Sequence, residues 1–560
     1  MIDHTIEMVA MKSKRYFRYS FGLIFFIGTC GITQAQDTSK RKTIDITSTY
    51  KPVLRDAVKL NFPAALPKLD TTRPLLNYDI PRQQVRVPYQ PGTLKPIALE
   101  TDSMLAWKDN QYLKIGAGNY HLPYLQGAAS FGDGSRAFMS AYAEYYSSKG
   151  KLPFQKNNLG DFQLRGSYKV SDDHELSGKL GFRGEDYFLY GYKPTTLEFS
   201  KSDLKQRFQT VDGYIGFRNT NPTEYGISYS PTLTFDAFAG KNDGNKSTEN
   251  NFVFNLPLQK TFGKMFGFNL GFMADLTRYK PESGDDIKNN LITISPALLL
   301  KTPNVYIHTG ILPSWDNKEF TMLPNIMAEL TTNDQRFSLQ GGWIGYFNKG
   351  SYQRFAGINP WIAAPDELLN HRIREAYVGF KGNLASGFIF NAKAAYSEQK
   401  NVNLFVNDQV DGKTFLTVYS PSMEVLQFHG ELGYLRGEEF SFTTGLTYNN
   451  FTKIGGQTRA WGLIPLEVKA ALRWKVLKDL SFKADLFAWD GPAYRTKEGN
   501  ARKGDKAFDL NAGLDFRVSK KLNLWLQTNN IFNNNYQRWN QYEVFGFNLL
   551  GGVIFRFGQN

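Results

Sequence analysis

Histidines and paired acidic residues are the side chains of this sequence that could bind a metal ion or transfer protons. The histidines stand far apart, and none has a second ligand at the spacing of a metal site. The acidic pairs lie in turn-like sequence, where Asp commonly serves local hydrogen bonds. These residues are His4, His121, His174, His308, His371 and His429, and the pairs Asp172–Asp173, Asp285–Asp286 and Glu438–Glu439.

Sequence motifs of catalysis are missing as well. No Gly-x-Ser-x-Gly elbow, phosphate-binding loop or His-Glu-x-x-His motif occurs. The glycine-spaced run 178–184 lies inside a stretch of alternating apolar and polar residues, where glycine is typical of a kinked strand. The sequence therefore predicts no enzyme, no metal site and no bound cofactor.

From about residue 110 onward, apolar and polar residues alternate in long stretches, such as 162–170, 466–476 and 508–518. Alternation of this kind gives a strand one apolar and one polar face. Strands of soluble sandwiches and propellers alternate too, but they average about five or six residues. Stretches of about ten residues are the length that a tilted strand needs to cross a bilayer.

The connections between these stretches alternate between short and long, which is typical of barrels with turns at one rim and loops at the other. Counting the stretches predicts an all-β, transmembrane antiparallel barrel of about 22 strands, with 20 as the alternative, over residues 110–560. The short connections are 132–135, 171–174, 332–335 and 519–521; the long ones are 184–205, 240–250, 348–374, 397–423 and 490–506.

A closed barrel also fits the absence of apolar runs of about 20 residues after the first 35, because only helices or closed rings of strands satisfy the backbone within lipid. Aromatic residues at strand ends predict girdles at the two membrane interfaces, with ordinary packing as the alternative. These aromatics are Tyr120, Tyr124, Tyr145, Tyr146, Phe188, Tyr190, Trp489 and Trp539.

The first 35 residues have the three parts of a secretory signal peptide: a basic segment from Met11, an apolar segment 21–32 and a small-residue end at Ala35. We expect translation to start at Met11 and cleavage to follow Ala35. The only cysteine, Cys30, falls in this segment. Residues 36–109 are rich in proline, which disfavours helices and central strands, and predict an extended periplasmic arm or rudimentary plug.

The net charge of +14 would suggest nucleic acid for a cytosolic protein, but export excludes that partner. Basic residues instead suit the phosphates of lipopolysaccharide at the barrel rim, or a lumen that attracts anions. Candidate basic residues of the lumen are Arg165, Lys169, Lys179, Lys469 and Arg473, but acidic residues share that face, so selectivity stays open.

The end of the chain carries a recognisable hairpin. Asn530, Phe532, Asn533 and Tyr536 form an Asn-Ile-Phe-Asn corner followed by Tyr, and a final glycine-rich strand contains Phe555 and Phe557. This pattern resembles the closing hairpin of TonB-dependent receptors, and the resemblance covers the barrel. It implies a Gram-negative outer-membrane location and insertion by the barrel-assembly machinery.

Residues 36–109 depart from that family, because the stretch is too short for its globular plug. The resemblance also implies a TonB box at Ile44, Asp45, Ile46 and Thr47, which would pair as an added strand with the energy-transducing partner TonB.

Two functions follow. The first is solute uptake across the outer membrane, through a lumen occluded by the arm and by inward-folded loops, with ligand contacts from loop 348–374. The second is a non-transporting scaffold that docks a lipoprotein or periplasmic partner through the arm. The candidate ligand residues of the first are Tyr352, Phe355, Trp361, Asp366 and Glu367.

Overall fold

A computed structural model describes residues 111–132, 135–242 and 245–557 of the protein. The signal peptide 1–35, the arm 36–109 and the TonB-box segment 44–47 lie outside these residues and stay predictions. Within them, one antiparallel sheet closes on itself, because the first strand pairs with both the second and the last, from Gln111–Phe557 to Gly118–Leu550. The all-β barrel fold is thereby confirmed.

The strands of this sheet are long and follow the chain order around the ring. They are β1 (Gln111–Gly118), β2 (His121–Gly132), β3 (Ala137–Lys149), β4 (Lys156–Ser171), β5 (His174–Phe188), β6 (Lys205–Asn219), β7 (Ile227–Tyr229), β8 (Thr232–Asn242), β9 (Asn245–Phe262), β10 (Phe266–Lys280), β11 (Ile287–Lys301), β12 (Val305–Asp316), β13 (Glu319–Thr331), β14 (Phe337–Asn348), β15 (His371–Ala385), β16 (Phe388–Lys400), β19 (Met423–Arg436), β20 (Phe440–Thr452), β21 (Leu466–Leu477), β22 (Leu480–Trp489), β25 (Ala507–Arg517), β26 (Leu522–Asn529) and β29 (Asn548–Phe557).

The remaining elements lie in the connections. They are the helices α1 (Lys201–Leu204) and α2 (Tyr352–Ile358) and three small hairpins: β17 (Val402–Asn407) with β18 (Phe415–Ser420), β23 (Ala493–Arg495) with β24 (Ala501–Lys503), and β27 (Gln537–Trp539) with β28 (Tyr542–Glu543). Neither helix of the described ranges has the length and apolar composition to cross a membrane.

The sheet has 23 strand segments but 22 positions around the ring. Segments β7 and β8 occupy one position, because both pair with β9, at Ile227–Lys260 and at Thr232–Asn255. They are separated at Ser230 and Pro231, and proline lacks the N–H that a strand ladder requires. The predicted count of 22 strands is confirmed, and the alternative of 20 is wrong.

The sheet exposes apolar side chains on its outer surface and buries polar side chains on its inner surface, the reverse of a soluble protein. In β25, Phe508, Leu514 and Phe516 are exposed on the outside, whereas Asp509 and Asp515 are buried towards the lumen. The outer apolar residues would contact lipid, and the inner ones surround a polar lumen. The predicted alternation is therefore confirmed in orientation as well as in period.

The prediction that eight strand-end aromatics form membrane girdles is wrong for most of them, because their rings are buried. Of the eight named, only Tyr145 is exposed on the outside; Tyr190 is half-buried, and Tyr120, Tyr124, Tyr146, Phe188, Trp489 and Trp539 are buried. Other rings occupy the outer surface at the strand ends. Trp315 and Phe320 lie 5.2 Å apart at one end of the barrel, and Phe262 and Phe266 are exposed at the other. Strand-end position alone does not tell which face an aromatic ring takes.

Successive connections between the strands of the ring lie alternately at the two ends of the barrel. We call the end that holds the first connection, between β1 and β2, the loop end, and the opposite end the turn end. The long connections 189–204, 349–370, 401–422, 490–506 and 530–547 all lie at the loop end. The predicted long loop 240–250 is wrong, because β8 runs to Asn242 and β9 begins at Asn245. The polar residues of this segment belong to the strands, which extend beyond the band of outward-facing apolar residues.

Trp525 of β26 covers the seam where the first and last strands meet. Its cross-strand partner is Gly552 of β29, which pairs in turn with Gly116 of β1. Because neither glycine has a side chain, the indole lies across both strands, and its Nε1 donates to the Ile115 carbonyl oxygen over 3.3 Å. The Lys114 Nζ lies 4.0 Å from the ring centre, a cation–π contact. We call these residues the seam clasp.

The closing hairpin is held at its corner by Asn530. Its Nδ2 donates to the carbonyl oxygens of Asn534 and Phe545 over 2.8 and 3.0 Å, and its Oδ1 accepts from the Asn534 N–H. The Tyr536 hydroxyl donates to Asp509 over 2.9 Å. One amide side chain thus satisfies three backbone groups that a strand ladder cannot reach.

The other hairpin residues of the predicted motif point elsewhere. Phe532 stacks on Phe508 at 5.0 Å on the outer surface, and Phe555 and Phe557 are exposed there too. Asn533 adopts a φ of 52°, the left-handed region that Asn tolerates better than most residues. The motif therefore divides into polar residues that hold the corner and apolar residues that face outward.

Candidate functional site

The long connections at the loop end pack on one another in a single buried aromatic cluster. Connections 349–370, 401–422 and 530–547 all contribute, as do lumen-facing residues of β6, β8 and β10. We call this assembly the loop cap. Its buried members are Phe208, Phe238, Tyr279, Tyr352, Phe355, Ala356, Ile362, Leu368, Phe405, Phe415, Trp539 and Tyr542.

The contributing connections leave the ring at widely separated strands. Connection 349–370 follows β14, 401–422 follows β16, 530–547 follows β26, and 189–204 follows β5. Side chains from such distant points of the rim can meet only over the lumen. The loop cap therefore covers the mouth of the barrel at the loop end.

Trp361 and Tyr542 form the centre of the loop cap. Their rings stack with centroids 4.0 Å apart, and Tyr190 meets both edge-on, at 6.1 and 4.9 Å. The Tyr190 hydroxyl donates to the carbonyl oxygen of Glu543 over 2.7 Å, and the Tyr542 hydroxyl donates to that of Lys413. Burial raises the pKa of Tyr542 well above its usual value, so its hydroxyl stays a donor at physiological pH. Four connections, 189–204, 349–370, 401–422 and 530–547, are thus joined at one point.

Glu249 of β9 anchors connection 349–370 to the barrel wall. Its carboxylate accepts from the Ser351 hydroxyl at 2.6 Å and from the backbone N–H groups of Tyr352 and Gln353 at 2.7 and 3.4 Å. Ser351 in turn caps helix α2 by accepting from the Arg354 N–H. Because Glu249 is only 1% exposed, a buried carboxylate of the wall serves the first N–H groups of the helix.

Lys349 forms a second anchor, just before α2. Its Nζ donates to the carbonyl oxygens of Asp275 and Asn289 and lies 3.4 Å from the Asp275 carboxylate. The Arg354 guanidinium lies 3.6 Å from the same carboxylate. Burial lowers the pKa of Lys349 to about 8, while the Asp275 charge opposes that shift.

The far end of connection 349–370 is tied to the same wall. The Asn370 and Asn289 side chains donate to one another over 2.7 and 2.9 Å, and Asn370 also donates to Asp316 over 2.6 Å. Between the two ends, the Gln206 amide of β6 donates to the carbonyl oxygens of Pro360 and Ile362, each over 2.9 Å. The connection therefore crosses from β14 to the wall formed by β6, β9, β10 and β11.

Raising the pH is expected to stabilise the loop cap. The unfolded lysine keeps its usual pKa of 10.5 whereas folded Lys349 has a pKa of about 8, so the unfolded chain binds more protons between these values. Stability therefore rises with pH in this window, by about 2 kcal/mol from about pH 7.5 to about pH 9.5. The rate of protease cleavage within connection 349–370, normalised at each pH to cleavage of an unstructured peptide, measures it. Lys349→Met should flatten the dependence, and an equal slope in that variant would contradict it.

The five candidate ligand residues lie in this connection but divide by burial. Tyr352 and Phe355 are buried inside the loop cap, and Trp361 is half-buried at its centre. Only Asp366 and Glu367 are exposed. The three aromatic rings thus hold the loop cap together, and contact with a ligand stays a prediction for all five.

Three of the five basic residues predicted for the lumen form ion pairs. Lys179 pairs with Asp212 at 2.5 Å, Lys469 with Glu467 at 2.9 Å and Arg473 with Asp485 at 2.7 Å. Arg165 donates to Gln163 over 2.9 Å. In each of these three pairs, a basic residue of the wall lies beside an acidic one.

Within the described ranges, no three His, Cys, Asp or Glu side chains form a group that could hold a metal ion. Four of the five described histidines have separate hydrogen-bond partners, and His429 is paired with Thr447. His121 contacts Asn548, His174 contacts Tyr229, and His371 contacts Gln399.

The feature that this chain shares with the solved structures is the closed barrel, which here has 22 strands and long connections at one end. The fold is that of siderophore-receptor barrels. The chain is similar to the siderophore receptor PirA from Acinetobacter baumannii, with a TM-score of 0.63, 9% identity and 80% of each chain covered. It is also similar to the FrpB iron transporter from Neisseria meningitidis, with a TM-score of 0.63 and 10% identity over 81% of this chain and 82% of that one.

A third similar structure is a mutant of the ferric enterobactin receptor PfeA from Pseudomonas aeruginosa, with a TM-score of 0.61, 11% identity and 80% of each chain covered. No protein-family model matches the sequence, and no curated protein is similar to it in sequence. At these identities the likeness concerns the fold.

Sequence reasoning missed the anchors of the loop cap. Glu249 and Asn289 read as ordinary polar positions of alternating strands, and Lys349 reads as a loop lysine. The one available signal was the run Lys-Gly-Ser after β14, in which Ser351 precedes a short amphipathic segment as a helix N-cap would. That signal predicts the helix but gives no information about the distant carboxylate that caps it.

Proposed function

We propose that the protein is an outer-membrane receptor for solute uptake whose outer mouth is closed by the loop cap and must open to admit its solute. The observation that carries the proposal is the buried cluster of connections across the end of a 22-strand barrel. A lumen of this width would otherwise be an open channel. A closed mouth fits a receptor that admits one solute at a time.

The descriptions of the structurally similar proteins favour one class of solute to test. They are siderophore receptors and an iron transporter, so iron chelates come first. We further propose that residues 44–47 couple opening to TonB by strand addition, and that the barrel-assembly machinery inserts the chain.

The proposal is tested by the conductance of four proteins in planar bilayers: the mature chain, a deletion of 37–105, a variant in which a short Gly-Ser linker replaces 351–369, and the combination. We expect large, steady conductance only in the combination, because the arm is proposed to occlude the lumen and the loop cap closes the mouth. Replacing 491–505, a connection outside the aromatic cluster, is the matched control.

Two results would contradict the proposal. Conductance after deletion of 37–105 alone would mean that the loop cap is no barrier. Silence of the combined variant, in a protein that still runs as a compact barrel on unheated gels, would favour the scaffold that docks a partner through the arm.

A further inference from the structure

Positive charge at the loop end is concentrated in two adjacent connections. Connection 453–465 contains Lys453 and Arg459 and no acidic residue, and 490–506 contains five basic and three acidic residues. Connections 189–204, 349–370 and 530–547 each contain equal numbers of both, and 401–422 has one excess acidic residue. The asymmetry is therefore local, although the whole chain is basic.

These two connections form one structural unit. The Gly462 N–H donates to the Ala493 carbonyl oxygen over 2.9 Å, and Trp461 forms a parallel bridge to Ala493. Hairpin β23–β24 projects from this junction with an exposed tip. We call the exposed basic residues of the unit the basic rim: Lys453, Arg459, Lys497, Arg502, Lys503 and Lys506.

The basic rim has little internal neutralisation. Lys453 pairs with Glu424 at 2.7 Å and Lys503 with Asp490 at 2.6 Å, both on exposed lysines. Exposed ion pairs of this kind contribute little and exchange partners readily. Arg502 and Lys497 lie near enough to Glu498 of the same hairpin for their charges to contribute to lowering its pKa, but neither forms an ion pair with it. Within the described ranges, Arg459 and Lys506 form no ion pair either.

Lys506 lies at the edge of the apolar band, whereas Lys453 lies beyond it, after the exposed polar residues Asn450 and Thr452. Lys453 directly follows the last residue of β20, and Lys506 directly precedes β25, two residues from the lipid-facing Phe508. Lys497 and Arg502 lie farther out on the hairpin. The charges therefore extend from the level of lipid headgroups outward along the side of the barrel.

We propose that the basic rim binds the phosphate groups of lipopolysaccharide. This inference rests on the outer-membrane orientation of the proposed function. Clusters of Lys and Arg beside a membrane-embedded surface recognise anionic headgroups, and phosphate oxygens accept charge-assisted hydrogen bonds from both side chains. An acidic protein partner would not require charges at the edge of the apolar band, whereas a lipid-borne phosphate does.

The test uses the full mature protein in a neutral detergent and fluorescent diphosphoryl lipid A as the probe. The variant combines Arg459→Gln, Lys497→Gln, Arg502→Gln and Lys506→Gln. The matched control combines Lys201→Gln, Lys241→Gln, Lys246→Gln and Lys318→Gln, four exposed lysines elsewhere at the loop end. We expect the first variant to bind roughly tenfold more weakly or worse, and the control to bind like wild type.

Each alternative has its own outcome. Equal weakening by both variants would overturn the proposal in favour of a general charge effect, as would unchanged binding by the basic-rim variant. Displacement of lipid A by inorganic phosphate at equal concentration would assign the site to free phosphate, and binding of an acidic protein without lipid A would assign it to a protein. Lipid binding does not depend on conductance, so failure of solute uptake leaves this result interpretable.

Discussion

Replacing Glu249 by alanine is expected to release connection 349–370 from the barrel wall. The Ser351 hydroxyl and the Tyr352 N–H lose a buried carboxylate acceptor at 2.6 and 2.7 Å. Loss of a buried charged acceptor of this kind costs about 3 to 5 kcal/mol. Because the donors belong to one connection, the cost appears as local opening of the loop cap rather than as unfolding of the barrel.

A single-cysteine reporter measures this opening. Cys30 is the only cysteine of the sequence, so Cys30→Ser with Ala356→Cys leaves one thiol, at a position buried in the loop cap. Glu249→Ala should speed its labelling by a membrane-impermeant maleimide roughly a hundredfold to a few thousandfold, since each 1.4 kcal/mol of opening is about a factor of ten. Glu175→Ala, which breaks the Glu175–Arg218 pair at the turn end, is the control. Equal labelling rates in both variants would refute the anchoring role of Glu249.

Replacing Gly552 by valine is expected to prevent closure of the barrel. A Cβ at this position would overlap the carbonyl group of Ile115 and the Gly116 backbone, which cannot move without breaking the pairing of β1 with β29. Forcing side-chain atoms into packed surroundings costs about 3 kcal/mol or more when backbone must shift. The Trp525 ring of the seam clasp would lose its place across the same strands.

Unheated gel mobility and protease resistance in outer membranes measure closure. Gly430→Val is the matched control, because a Cβ on that glycine meets nothing within 4 Å although it lies in a strand of the same barrel. We expect the control to form the compact species and Gly552→Val to be degraded. A compact, heat-modifiable Gly552→Val protein would mean that the seam tolerates rearrangement.

The barrel was predictable from the sequence because its signal is repeated. In β25, a slip of one residue would place Asp509 and Asp515 against lipid, so the register follows from polarity alone. The predicted long loop 240–250 failed for a related reason. The residues there are polar because they lie beyond the apolar band, yet β8 and β9 continue to pair. Strand pairing outside the membrane leaves no alternation of apolar and polar residues in the sequence.

The loop cap was predictable only as a set of long connections. Trp361 and Tyr542 are far apart in the chain, and their stacking depends on where β14 and β26 stand around the ring. The same limit explains the aromatics that were assigned to membrane girdles. Trp489 lies at a strand end as a girdle residue would, but its ring is buried towards Tyr536 rather than exposed to lipid.

The composition of the loop cap bears on the order of folding. Phe208 and Tyr542 belong to one cluster although most of the barrel's chain length separates them. Bringing such distant segments together carries a large entropic penalty until the intervening chain is already ordered. The cluster should therefore assemble after the ring has closed, as the final event of biogenesis, and a nascent barrel would pass through a transiently uncovered stage.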